Sequence, residues 1–234
     1  MLFSPANCRQ VPISKRSLVS PESALDYDGS LLSTSIFLQR AASMILEGIV
    51  TSRNQQGEFN IAPMGPVVNP EMSQFVLRPF QTSRTFSNLK ETRCGVLHVV
   101  DDVLLLAKAA IGQLDEIPET FPAEKISGDV LQSACRWYEF EIESIDETQA
   151  RTVMQATVVH QGRIRDYFGL NRAKHAVLEA AILATRTQLI KQSELETQYQ
   201  ALAEIVKKTA GPHEQTAFRL LEDYISKAYA EINS

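Results

Sequence analysis

An antiparallel β-barrel followed by a helical subdomain is the architecture expected of this chain of 234 residues. Two observations carry that expectation. Between Ala41 and Arg165 short alternating segments follow one another with few helical stretches between them, which suits a barrel rather than a doubly wound sheet. From Asn171 onward the apolar period changes to that of amphipathic helices. A hydrophobic content of 44% is enough for a substantial core. The expected organisation is a Ser- and Pro-rich mobile tail over 1–38, a barrel over 39–170, and helices over 171–234 packed on the barrel or across a dimer.

The first hairpin is "MILEGIVTSRNQQGEFNIAPMGPVV", residues 44–68. Met44 to Ser52 alternates around Ile45, Glu47, Ile49 and Thr51, "RNQQGE" turns the chain, and Phe59 to Val68 returns. The returning strand runs into Ala62-Pro63-Met64-Gly65-Pro66. Prolines cannot donate to a ladder, so this strand must be frayed, bulged or at an edge. Gly65 permits close approach by another group. Two readings stay open: a bulge that turns a barrel corner, or a backbone edge bared for a flat ligand.

Gln74 to Phe80 is the next strand, and Thr85 to Thr92 makes one or two helical turns. "GVLHVVDD" reads as a buried strand, with Asp102 capping a helix over Leu104 to Ile111. A Pro-rich loop precedes the clearest hairpin. There "ACRWYEFEIESI" sets Tyr138, Phe140 and Ile142 against Glu139, Glu141 and Glu143, and "RTVMQATVVH" answers it. Asn171 caps a helix with Ala176, Val177, Ala180, Leu183 and Ala184 along one face. A second helix stops at Gly211-Pro212, and a third spans 213–232.

Composition removes several function classes. A net charge of −5 leaves no basic footprint for nucleic acid. Cys8, Cys94 and Cys135 leave one thiol unpaired in any disulfide scheme, which suits a reducing compartment. The four histidines show no HxH or HExxH spacing and no CxxC exists, so no metal site is expected. The amino terminus lacks the apolar core of a signal peptide, and Val103 to Ile111, interrupted by Lys108, is too short to span a bilayer. A soluble, cytoplasmic protein is the expectation.

Chemistry concentrates in "RPFQTSRTFSNL", residues 78–89. A strand ends in Thr82-Ser83-Arg84-Thr85 where a helix begins, and the first N–H groups of a helix favour negative charge. Hydroxyls of Thr82, Ser83 and Thr85 with the Arg84 guanidinium would complete a phosphate cradle. The plainer reading is an N-cap by Ser83 or Thr82, with Arg84 in solvent. A phosphate cradle beside a bared backbone edge is what flavin mononucleotide (FMN) requires. No side-chain acid or base stands out as catalytic. Trp137 reads as core or dimer contact, Cys94 as a small buried residue, and the Arg172, Glu179, Arg186 row as a solvated, ion-paired face or a polar wall over a pocket.

Three blocks, "MILEGIVTSRNQQGEFNIAPMGPVV", "RPFQTSRTFSNLKETRCGVLHVVDD" and "FGLNRAKHAVLEAAILATR", together resemble the family numbered 447 among domains of unknown function. That family is similar to the FMN-binding split barrels of flavin reductases and pyridoxamine-phosphate oxidase-like proteins. The resemblance covers roughly Ala41 to Arg186. Flavin reductases of this superfamily often carry Lys-Asp-Thr-x-x-Asn at the phosphate site; here Ser83-Arg84-Thr85-Phe86-Ser87-Asn88 matches at Thr85 and Asn88. The basic residue is displaced, leaving Arg84 and Arg78 as candidates to face the phosphate. His98 stands where the family more often has Asn. The resemblance implies a flavin ring along Asn60, Ala62, Pro63, Met64 and Gly65, a phosphate at Thr82 to Asn88, and a homodimer. It implies a flavin-dependent oxidoreductase of unknown substrate. The alternative is a non-catalytic flavin carrier or a regulatory partner in a pterin-linked one-carbon pathway.

Overall fold

Residues 44–53 and 59–68 form one hairpin in a single register, with Met44 opposite Val68, Gly48 opposite Met64 and Arg53 opposite Phe59. These coordinates come from a computed structural model that describes residues 43–149 and 151–232, so the expected tail over 1–38 lies outside the described residues. The outgoing arm is β1 (Met44–Ile45) and β2 (Gly48–Arg53); the returning arm is β3 (Phe59–Met64) and β4 (Val67–Val68). Both arms break midway, at Leu46-Glu47 and Gly65-Pro66, where one bond from the Leu46 N–H to the Pro66 carbonyl (3.0 Å) carries the register across.

The two halves join opposite ends of one sheet. β4 pairs with β5 (Gln74–Leu77), and β2 with β6 (Cys94–Val99). The following strands β7 (Thr120–Pro122) and β8 (Asp129–Leu131) form a separate ribbon, and β9 (Arg136–Asp146) with β10 (Val153–Arg163) fills the middle of the sheet. Among the described residues the order is β1-β4-β5-β10-β9-β6-β2-β3, every pairing antiparallel. Both ends of this sheet are pieces of the same hairpin, so the sheet curls until they meet at the break. The fold is a split β-barrel. Its Pro-Gly-Pro stretch involves no bulge: Pro63 lies in the edge strand β3, where its missing N–H leaves the fold intact, and Gly65-Pro66 turns the corner.

Inside the barrel Val50, Leu77, Leu89, Leu97, Phe140 and Met154 are fully buried, with Phe75 edge-on to Tyr138 and Phe140. On the outer face Ile49 of β2 and Leu131 of β8 share a core with the helices. These are α1 (Arg84–Thr92, on the barrel side), α2 (Val103–Ala110), α3 (Arg172–Ala184), α4 (Gln192–Thr209) and α5 (Pro212–Ile232). Asn171 and Asp102 cap α3 and α2 as their sequences foretell, each accepting two backbone N–H groups. The alanine face of α3 is buried throughout. The described residues make one compact unit, and among them the helices have no separate core. No helix among the described residues is long and apolar enough to cross a membrane.

Three differences from the sequence reading have physical causes. β5 stops at Leu77, three residues before Phe80: Pro79 has no N–H to give, and Phe80 keeps only an isolated bridge to Arg151. The Pro-rich loop contains the β7–β8 ribbon, tied down by Glu139. That carboxylate sits on the nominally polar face of β9 yet is fully buried, accepting the N–H groups of Glu124 (2.8 Å), Lys125 (2.7 Å) and the Trp137 indole (3.2 Å). Cys94 is half-buried rather than buried. Trp137 is core: its ring fills the space beside Gly162 and meets Phe121 edge-on.

Candidate functional site

The start of α1 is built from both readings of its sequence. Ser83 is the N-cap: its hydroxyl accepts from the Phe86 N–H (3.1 Å) and donates to the Phe80 carbonyl (2.8 Å), so both its roles are filled. The N–H groups of Arg84 and Thr85, the first two of the helix, have no acceptor among the described residues. They open beside a cleft of about 560 Å³ lined by Asn60, Thr82, Arg84, Ser87 and Asn88, with Glu58 and Glu91 also on its wall. Arg84 is exposed and makes no ion pair among the described residues. An anion of phosphate size at this point would meet two N–H donors, a guanidinium and neighbouring hydroxyls.

A buried polar network forms the back of the cleft. The Asn60 side-chain amide donates to Thr85 Oγ1 (3.1 Å) and to Ser52 Oγ (3.3 Å), and the Asn88 amide donates to the same Ser52 Oγ (3.2 Å). Ser52, Thr85 and Asn88 are all buried. Four side chains thereby lock β2, β3 and α1 together at the cleft. The Thr85 hydroxyl accepts from Asn60 and keeps its own proton to give.

Of the sequence-picked residues, Asn60, Thr82, Arg84 and Asn88 line this cleft, while Ser83 and Thr85 hold its helix. Ala62, Pro63, Met64 and Gly65 lead away from it along the half-buried edge strand β3 and into the corner. Met64 packs against the barrel core. Arg78 is exposed just past β5 and is not among the cleft residues. Ser52 escaped sequence reasoning. It looks like an ordinary strand serine until its register partner Asn60 is known.

A second cavity, of about 380 Å³, lies where α2, α3 and α5 begin. Its helix starts are already satisfied by the chain itself: Asp102 and Asn171 cap two, and the Glu214 carboxylate accepts the Gly211 N–H at 2.9 Å. Beside it the Arg165 guanidinium grips Asp101, holding that carboxyl down to about 2. This is a structural junction. Arg172, Glu179 and Arg186 are all exposed on α3 and its continuation, and no ion pair joins them. Among the described residues no cluster of His, Cys, Asp or Glu could hold a metal ion.

The family model for the N-terminal domain of a protein of unknown function, DUF447, matches residues 46–165, and that for the C-terminal part matches residues 171–223. No curated protein matches the chain. Among solved structures, the FMN-bound DUF447 protein of Methanosarcina mazei is similar over 81% of this chain and 99% of that one, at 24% identity and a TM-score of 0.67. The flavin reductase of styrene monooxygenase from Pseudomonas putida covers 55% of this chain and 88% of its own, at 14% identity and a TM-score of 0.43. Flavoredoxin from Methanosarcina acetivorans covers 52% and 69%, at 13% identity and a TM-score of 0.44.

Proposed function

This chain belongs to the DUF447 family, and we propose that it is a flavoprotein that binds FMN through the cleft at the start of α1 and the free edge of β3. The carrying observation is the pairing of two unaccepted helix N–H groups with the unpaired Arg84 at one end of that edge strand. Asn60 to Gly65 is five residues further along, about 16 Å of extended chain, a length suited to a ribityl chain and a tricyclic ring. The M. mazei relative, described as FMN-bound, supports the choice of flavin. A single helix-start anion site, with no glycine-rich pyrophosphate loop, favours the mononucleotide over the dinucleotide.

In this reading Arg84, Thr82, Ser87 and the Thr85 hydroxyl hold the phosphate, and the β3 backbone supports the ring. Bound flavin would supply two-electron redox chemistry, while the protein positions the ring and shields it. The chain acts as a homodimer in this reading, which is supported by the exposed apolar side chains of Tyr167, Phe168 and Leu170 (43, 77 and 87%) that a second copy would cover. The substrate class is that of a flavin-dependent oxidoreductase. Anaerobic turnover of a reduced nicotinamide by the flavin-loaded protein tests that assignment: oxidation of the nicotinamide above the free-flavin rate supports it, and none marks a carrier.

A further inference from the structure

The cleft at the start of α1 is larger than an anion anchor needs. Its volume of about 560 Å³ would take a whole small ligand, so size does not keep a second phosphate out. Charge is spread unevenly along it. Among the described lining residues Arg84 is the only cation, and it sits at the helix end where the Arg84 and Thr85 N–H groups lack acceptors. Arg84, Ser87, Asn88 and Glu91 follow at helical spacing along the lining face of α1, which puts Glu91 two turns, roughly 10 Å, beyond the anchor. Glu91 lies in the last turn of α1, the end where the helix dipole disfavours an acid. Another wall is the turn between β2 and β3. Arg53 fixes that turn, holding the Gly57 carbonyl and pairing with Asp129 at 2.8 Å. Across it the Asn54 amide donates to the Glu58 carboxylate (2.7 Å), and Asn54 Oδ1 accepts the Glu58 N–H (2.8 Å). Glu58 is thereby held in place by a neutral partner that leaves its charge intact. Neither Glu58 nor Glu91 makes an ion pair among the described residues.

We propose that Glu58 and Glu91 make this cleft selective for a terminal phosphate monoester over a pyrophosphate, and so for FMN over flavin adenine dinucleotide (FAD). This rests on the FMN reading above and assigns its choice of phosphate to two residues. Near pH 7 a monoester carries about 1.5 to 2 negative charges on a single phosphate. All of that charge falls on the anchor, where the guanidinium and the helix N–H groups act on it. In a pyrophosphate diester the two charges are divided between neighbouring phosphates, so the second lies off the anchor. Inside the cleft it meets the field of Glu58 and Glu91; turned out to solvent it gains no contact. Either way the dinucleotide loses attraction that the mononucleotide keeps. Both carboxylates are exposed, so they act through charge at a distance, which salt screens.

The test is titration of the full-length protein with FMN and with FAD, at low salt and at about 0.5 M salt, in three forms. These are the wild type, the double variant Glu58→Gln with Glu91→Gln, and Glu91→Lys. The wild type should bind FMN more tightly than FAD. In the double variant that preference should shrink by about tenfold at low salt, because FAD affinity rises more than FMN affinity, and by much less at high salt. Glu91→Lys should shift the preference in the same direction. A purely structural part for the two acids predicts the opposite sign, with both flavins bound more weakly in the variants and their ratio unchanged. Equal ratios in three flavin-bound proteins, or a wild type with no preference for FMN, would overturn the Glu58 and Glu91 assignment while flavin binding stands. A wild type that binds neither flavin overturns the FMN reading and this one with it.

Discussion

Asn60 on β3 gives its side-chain amide to Thr85 on α1 at 3.1 Å, tying the edge strand to the helix whose start forms the cleft. The same amide reaches Ser52, which also receives Asn88. Thr85 therefore has two jobs in the account, one structural and one toward the ligand, and mutants can separate them.

Thr85→Val keeps the shape and removes the hydroxyl. It leaves the Asn60 amide with one acceptor fewer, so the flavin-free protein should lose about 1–2 kcal/mol of stability in urea melts. Losing a hydrogen bond to a charged phosphate should weaken FMN by about tenfold or more. Arg84→Ala should behave differently, because the side chain is exposed and unpaired. Stability should stay unchanged while FMN affinity falls, by less at high salt.

Ser83→Ala is the contrasting case. Its hydroxyl is spent on the Phe86 N–H and the Phe80 carbonyl. Thermal and urea denaturation should report a loss of about 1 kcal/mol, with intrinsic FMN affinity within about twofold of wild type. A larger affinity loss would move Ser83 from cap to ligand.

Much of this was legible in the sequence. The hairpins, the caps Asn171 and Asp102, the alanine face of α3 and the stop at Gly211-Pro212 all follow local rules that act within a few residues. The cleft was legible as a helix start with hydroxyls and an arginine. Its back was not: Ser52, Asn60, Thr85 and Asn88 meet only because strand register and helix docking bring them together. The same holds for buried Glu139, whose partners lie in a loop 14 and 15 residues away.

His98 is fully buried, with Nδ1 3.1 Å from the Ile49 carbonyl and Nε2 accepting the Leu131 N–H at 3.1 Å. That makes it a neutral ring with Nδ1 as the donor. Burial pushes its pKa down to about 4. Between that value and the unfolded value of about 6.5 the unfolded chain binds the extra proton, so stability rises with pH across this window. The His98 contribution is complete above about pH 6.5 and falls by about 3 kcal/mol as pH drops to 4. Urea denaturation at a series of pH values should show this slope, and His98→Gln should flatten it.

Truncation after Gly169 removes α3, α4 and α5, which share a core with Ile49, Leu131 and α2. The exposed apolar face should drive aggregation, read by light scattering. A monodisperse fragment would show that the helices stabilise the barrel far less than their shared core requires.

The most direct test of the central claim is a fluorescence and absorbance titration of the purified full-length protein with FMN. One FMN per chain should bind with quenched or shifted flavin spectra, denaturation should release a compound that co-elutes with FMN, and Arg84→Ala should weaken the binding by about tenfold. A colourless protein that leaves the FMN spectrum unchanged at every concentration would contradict the account.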